Sequence, residues 1–340
     1  MKLRKVTLNE IAIEAKVSPS TVSRALNDDP RISAATKDTI RILSKKMGYT
    51  PKIILQEGSP DSRRFIGLLT NDLSAFYSSL YSAIQQAAED LGFWVVQACT
   101  EDDRERTLAL VDSLLNSRMT GFIFASCFLD DPVVESIVDD GYPTVLVNRK
   151  MKRHRCDTIS VDNHYGAYLM VNHLINIGYK RIAIISASLN YSVCADRYQA
   201  YLKSMEDAKL PIDKSMIKHG SFFTRETGYQ QTRRLMQSES PPEAIFCCDE
   251  KISLGCMLAL KEMHLQVPKD VAVVGFDDAD TELMNYLQLT TISYDVREMG
   301  RLAAMALIER IKGSEKSPVK TVLKPTLIIR NSCGLHMHAR

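Results

Sequence analysis

The sequence predicts two structural regimes in one chain: a small all-α headpiece at the start and, after it, an α/β core of two parallel-sheet subdomains. Three observations predict this. Residues 7 to 48 carry apolar positions at helical spacing with no strand pattern. From Phe65 onward short β-rich runs alternate with helical stretches. Between the two lies a segment with two prolines, one glycine and few apolar residues after Leu55. At 340 residues, 45% of them hydrophobic, the chain is long enough to bury more than one core.

The first helix starts at Thr7-Leu8-Asn9-Glu10, a capping box in which Thr7 and Glu10 each satisfy an otherwise unpaired backbone N–H. Its inner face is Leu8, Ile11, Ala12 and Ala15. Only Lys16-Val17 separates it from a second helix, announced by Ser18 as N-cap and Pro19 at the first helical position, where a missing N–H costs nothing. A third helix, from about Ser33 to Met47, buries Ile40, Leu43 and Met47 and is closed by Gly48.

Packing through Ala12, Val17, Val22 and Ala25 leaves Pro19, Ser20, Arg24 and Asn27 facing outward on the second helix. Two short helices with a tight turn and a polar outer face form a helix-turn-helix, whose second helix enters a DNA major groove. Arg24 suits a bidentate contact to guanine or a pairing with phosphate, and Ser18, Ser20, Thr21 and Asn27 offer short hydrogen-bonding groups near the helix N-terminus. An ordinary three-helix bundle with a solvated polar face is the alternative for any such pattern taken alone. Charge favours the polyanion: residues 1 to 64 hold 13 Lys and Arg against 7 Asp and Glu, whereas the remainder holds 30 against 34.

In the core, FIGLLT (65–70), WVVQAC (94–99), GFIFAS (121–126), TVLVN (144–148), RIAIIS (181–186), AIFCC (244–248) and VAVVGFD (271–277) read as strands joined by crossover helices. Open α/β sheets bind ligands beyond the carboxyl ends of their strands, which singles out Asn71, Asn148, Asp249 and Asp277.

The eight cysteines have no C-x-x-C spacing and read as reduced structural thiols. His336-x-His338 lacks partners for a metal, so neither metal nor cofactor is expected. No stretch approaches the roughly 20 apolar residues of a membrane span, and the N-terminus lacks a signal peptide, so a cytoplasmic protein with no membrane partner is expected. A G-x-S-x-G elbow, a P-loop, an H-E-x-x-H helix and a G-x-G-x-x-G turn are all missing, which argues against an enzyme. A free solute-binding protein would share the core but not residues 1 to 50.

The string TLNEIAIEAKVSPSTVSRALNDDPRISAATKDTIRILSKKMGYTP closely resembles the DNA-binding headpiece of the lac-repressor (LacI/GalR) family. Similar blocks follow through the core: IGLLTNDLSAFY, SVDNHYGAY, NHLINIGYKRIAIIS, Arg197-x-x-Ala-Tyr, VPKDVAVVGFDD and LTTISYDVREMGRLAAMALIERI. The resemblance implies a helix-turn-helix headpiece (1–50), a hinge (51–64) and a periplasmic-binding-protein-like core (65–330). The core's subdomains would be about 65–162 with 294–322, and 163–291 with 323–330, followed by a tail at 331–340.

It further implies a transcriptional repressor that binds a pseudo-palindromic, double-stranded operator as a homodimer or tetramer, with a carbohydrate or sugar phosphate as effector in the core cleft. Pro19, Ser20 and Arg24 would face bases, while Thr7, Ser18, Thr21, Asn27 and Tyr49 would touch or support phosphates. Arg197 would anchor a hydroxyl or carboxylate and Asp277 would accept from donors, with Asn71, Phe76, Tyr77, Asn148, Phe223, Asp249 and Tyr294 around them. Phe76 and Tyr77 fit a packing role equally well, and an Arg-Asp pair can simply be an ion pair. Asp249 stands where many sugar-binding members carry asparagine; ionised, it only accepts hydrogen bonds, which favours a hydroxyl-rich or cationic ligand.

Two departures stand out. Lys16 occupies a turn position that is often glycine, at a cost of about 1 kcal/mol if its φ is positive. Gly58 occupies the position of the family's minor-groove leucine, and Leu55, a helical turn earlier, could serve as a wedge only with a shifted register.

Overall fold

The computed structural model describes residues 8–26, 29, 31–47, 64–153 and 155–335. The expectations for Thr7, Asn27, Tyr49, the Gly58 hinge and the histidine pair therefore lie outside the described residues. The chain divides into two compact units at residue 62.

The first unit contains α1 (Leu8–Ala15), α2 (Pro19–Leu26) and α3 (Ala34–Met47). Ile11, Ala12, Val22, Ala25 and Ile40 are buried at its centre, and Leu8, Val17, Leu26 and Met47 pack against them. The turn is made by Lys16, whose φ of +53° is left-handed, with the Val17 amide donating to the Ala12 carbonyl at 3.0 Å. A side chain in that conformation costs about 1 kcal/mol relative to glycine. Ser18 Oγ accepts the Thr21 amide at 3.1 Å, the capping bond expected from Ser-Pro at a helix start.

The second unit opens with β1 (Arg64–Thr70), α4 (Ala75–Glu89), β2 (Phe93–Cys99), α5 (Arg104–Asn116), β3 (Phe122–Phe124), α6 (Pro132–Asp139), β4 (Thr144–Val147) and β5 (Asp157–Val161). The chain then passes into α7 (Asn163–Ile177), β6 (Ile182–Ser186), α8 (Ser192–Asp207), β7 (Ile217–His219), α9 (Arg225–Met236), β8 (Ala244–Cys247), α10 (Glu250–Glu262), β9 (Ala272–Val274) and α11 (Thr281–Tyr286). It ends with β10 (Thr291–Ser293), α12 (Val296–Ile311), β11 (Lys320–Leu323) and β12 (Thr326–Ile328).

Six strands form one parallel sheet in the order β11-β5-β4-β3-β1-β2, and four form another in the order β7-β6-β8-β9. The strands β10 and β12 pair antiparallel. The chain thus links the two subdomains three times: before α7, between β10 and α12, and between β11 and β12. Asp157 fixes the connection from α12 to β11, accepting from Arg310 at 2.7 Å and from the Val319 amide at 2.7 Å.

Aspartates close many strand-to-helix turns. Asp103, Asp162, Asp249 and Asp295 each accept a backbone N–H of the first helical turn, an arrangement that also complements the positive end of the helix dipole.

The expected tail does not start at 331. Ser332 and Cys333 are buried, Ser332 Oγ donates to Val273 O at 2.6 Å and accepts the Thr290 amide at 2.8 Å, and Tyr179 Oη donates to Cys333 O at 3.1 Å. Small side chains with hydrogen-bonding groups can finish a sheet edge that composition alone marks as tail. The eight cysteines are free, and all but Cys99 are buried. No described helix is long and apolar enough to cross a membrane.

The contact between α9 and α10 is a backbone contact. A Cβ on Gly228 would lie 2.0 Å from Ile252 O, and one on Gly255 would lie 1.9 Å from Arg225 O. Only glycine permits this approach, because the obstructing atoms are main-chain. Gly255→Ala is expected to lower stability by about 3 kcal/mol, measured by urea denaturation. A change within error would mean that the helices separate freely.

Candidate DNA-binding surface and effector cleft

On the first unit, Ser18, Pro19, Ser20 and Arg24 are exposed and Thr21 is half-buried. Arg24 forms no ion pair among the described residues, whereas Arg31 is held by Asp29 at 2.6 Å. That pairing also holds the Asp29 carboxyl below the usual range. At the start of α2, Ser18 Oγ lies 2.7 Å from Ser20 Oγ and 2.8 Å from Thr21 Oγ1. The outer face of α2 therefore offers an exposed guanidinium one helical turn beyond a set of short donors and acceptors, the equipment needed to contact base edges and phosphates.

On the second unit, all nine core residues singled out from sequence line one cleft between the subdomains: Asn71, Phe76, Tyr77, Asn148, Arg197, Phe223, Asp249, Asp277 and Tyr294. The cavity is about 60 Å³, and it shares Asn71, Ser74, Phe223 and Lys251 with a wider, more open space of about 680 Å³. Strand ends supply most of the polar groups. Asn148 and Asp277 both adopt left-handed backbone, with φ of +50° and +78°. Asn and Asp tolerate that conformation better than other non-glycine residues, and it re-aims the side chain as the strand ends.

Arg197 is the hub. It is 1% exposed. Its Nε donates to Asn163 Oδ1 at 2.8 Å, its Nη1 to Cys248 O, and its Nη2 lies 3.5 Å from Asp277 Oδ1. The guanidinium also sits 3.6 Å from the centre of the Phe276 ring. Tyr294 Oη donates to the same Asp277 oxygen at 2.8 Å and lies 3.4 Å from Asn148 Nδ2. Arg197 and Asp277 thus form an ion pair and line the cleft at once.

Phe76 packs edge-on to Tyr77 at 5.0 Å, and Phe223 lies 4.8 Å from Tyr191. These aromatics take part in packing and line the cavity at once.

Sequence reading missed Ser74, Arg149, Val193, Glu250 and Lys251, which also line the cleft. Three of them adjoin residues that were chosen, since Arg149 follows Asn148 and Glu250-Lys251 follow Asp249, so extending each strand-end pick by two positions would have found them. It also missed the contacts that span the cleft. Lys251 pairs with Asp72, Lys150 with Asp196, the Leu129 amide donates to Asn190 O at 2.9 Å, and Tyr191 Oη donates to Asp102 at 2.8 Å.

Burial, with the Asp277 carboxylate close by, pushes Asp249 up to about 6, and burial pushes Glu250 up to about 7. A carboxyl whose folded value is raised binds more protons in the folded than in the unfolded state between the two values. Its contribution is then lost as pH rises. Stability is expected to fall as pH rises between about pH 4 and pH 7. Asp249→Asn keeps the N-cap acceptor and removes the titration, so thermal unfolding across that range should show a shallower decline in the variant. An equal slope would contradict the assignment.

A helix-turn-helix unit followed by a two-subdomain core with a polar cleft defines a DNA-binding transcriptional regulator with a ligand-binding domain. Residues 7–52 match the model of bacterial regulatory proteins of the lacI family, and residues 171–333 match that of the periplasmic binding protein-like domain. The HTH-type transcriptional regulator RegA of Clostridium saccharobutylicum is 31% identical over 331 residues, covering 96% of this chain and 98% of RegA.

Among solved structures, the complex of the transcriptional regulator CelR with cellobiose is 27% identical with a TM-score of 0.72, over 96% of this chain and 100% of that one. The lac repressor dimer bound to operator and the anti-inducer ONPF is 25% identical with a TM-score of 0.71, over 97% and 99%. The chain belongs to the lacI family of bacterial regulatory proteins.

Proposed function

We propose that the protein is a repressor that binds a pseudo-palindromic operator as a dimer in the cytoplasm, and that a hydroxylated small molecule, a carbohydrate or sugar phosphate, modulates that binding from the core cleft. The observation that carries the second part is the convergence of Asn71, Asn148, Asp249 and Asp277 with Phe223 in one cavity. Amide and carboxylate groups satisfy hydroxyls, and an aromatic face suits the apolar side of a sugar ring. The relative bound to cellobiose supports the same chemistry. For DNA, α2 would lie in the major groove with Pro19, Ser20 and Arg24 toward bases, while Ser18 and Thr21 support phosphate contacts.

Ligand binding changes operator affinity only to the extent that it favours one arrangement of the subdomains. The Lys251–Asp72 and Tyr191–Asp102 contacts supply the candidate closing interactions. The test is selection of bound sequences from a random duplex pool, then titration of the selected operator with and without sugars that raise the melting temperature. A palindromic consensus and a ligand-dependent shift are expected. Equal affinity for random and selected DNA would overturn the reading.

A further inference from the structure

The end of the core brings together two metal-ligating side chains that lie far apart in sequence. Cys333 is buried in the turn that follows β12, and His173 faces it from α7. His173 Nε2 lies 3.4 Å from Cys333 Sγ, although 160 positions separate the two residues. Cys333 Sγ also lies 3.4 Å from Arg330 O.

A zinc ion that holds a thiolate at about 2.3 Å and an imidazole nitrogen at about 2.0 Å, at a tetrahedral angle, sets sulfur and nitrogen about 3.5 Å apart. The pair therefore already has the separation of two ligands on one such ion. An imidazole–thiol hydrogen bond is the rival account of the same distance. Two side chains do not hold an ion by themselves, and no group of three metal-ligating side chains gathers among the described residues.

The sequence supplies two more, just outside those residues. The histidine pair that had no partner in the sequence reading follows Cys333 directly, as Cys333-x-x-His336-x-His338. Its first gap is the two-residue gap that joins ligands in C-x-x-C zinc sites. His336 and His338 are three and five residues from Cys333, about 10 and 17 Å of extended chain, ample to reach an ion held there.

We infer that Cys333, His173, His336 and His338 form a binding site for zinc or a similar thiophilic divalent cation, which clips the end of the chain to α7. The Cys333 thiol gives its proton to solvent as the metal–sulfur bond forms, and the imidazoles bind as neutral ligands. Neither Cys333 nor His173 lines the cleft. The segments that carry them lead to it: Arg330 pairs with Asp278, next to Asp277, at 3.1 Å, and α7 opens with Asn163, which accepts from Arg197 at 2.8 Å. The ion thus braces the core without entering the effector site.

The test uses the full chain, stripped of metal with a chelator and kept reduced. Cobalt(II), which occupies zinc sites and reports a sulfur ligand through a thiolate charge-transfer band, is titrated first and then displaced with zinc. The wild type should bind one cobalt per chain with that band, and zinc should displace it and raise the melting temperature. The double variant His336→Gln, His338→Gln should melt like the wild type without metal and bind cobalt and zinc at least about tenfold more weakly. His173→Gln should weaken binding likewise, and Cys333→Ser should remove the charge-transfer band.

Because Cys333 is buried, its replacement can disturb the fold, so the histidine double variant carries the decision. A wild type that binds cobalt without a thiolate band, or binds none, overturns the proposal in favour of the hydrogen bond. Unchanged affinity in the double variant overturns it too, as does zinc that raises that variant's melting temperature as far as the wild type's.

Discussion

Replacing Arg24 with alanine is expected to abolish discrimination between the operator and scrambled DNA while leaving the headpiece folded. The side chain is exposed and takes no part in the cluster of Ile11, Val22, Ala25 and Ile40, so its loss removes no packing. An arginine bidentate to guanine contributes about 1–3 kcal/mol of discrimination. In the proposed dimer two copies act, so the expected loss of selectivity is about 30-fold or more.

The control is Lys16→Ala. Lys16 is exposed, and a lysine that meets only phosphates contributes to every sequence alike, so that variant should weaken operator and scrambled DNA equally and flatten the salt dependence. Fluorescence anisotropy on both duplexes at two salt concentrations separates the cases. Selectivity retained by Arg24→Ala would remove Arg24 from base recognition.

The second large effect is expected at Arg197. Because Asn163, Cys248 O and Asp277 all depend on its donors, Arg197→Ala leaves buried acceptors and a carboxylate without partners. A cost of about 3–5 kcal/mol follows for a pair broken from one side. Ligand response should vanish as well, since Asn163 also bonds Asn148 at 3.3 Å and so carries the position of Arg197 into the first subdomain. Operator binding without ligand should persist, because no headpiece residue is involved.

Arg197→Lys keeps the charge but cannot serve three directions at once. It should therefore retain more stability than Arg197→Ala and still respond poorly. The readouts are melting temperature and the ligand-induced change in operator affinity, taken with whichever sugar stabilises the wild type. A normal response in Arg197→Ala would exclude Arg197 from the site.

Much of this architecture could be read along the chain because two periodicities separate cleanly. Helical spacing with Ser-Pro and Gly signals marks the headpiece, and runs such as FIGLLT and RIAIIS match β1 and β6 within a residue. The strands that escaped reading have physical reasons. In β5, Asp157, Thr158 and Ser160 are polar yet buried, so DTISV lacks an apolar signature. The strands β7, β10 and β12 have three residues each, too short for alternation to register, and β11 is an edge strand with exposed positions.

For the cleft, residues directly after strands were legible because strand order dictates where they gather. The contacts Tyr191–Asp102 and Leu129–Asn190 were not. They join segments 89 and 61 positions apart whose meeting depends on how the two subdomains face each other.

The backbone contact of α9 with α10 at Gly228 and Gly255 has a mechanical consequence. With each main chain resting on the other at these two points, and Tyr229 Oη donating to Glu262 across the pair, the helices form a single plate. Phe223 precedes one helix of that plate and Asp249 the other. The aromatic wall and the acidic wall of the cleft must then advance or retreat together, and a ligand is gauged against a jaw of fixed width rather than by two walls adjusting separately.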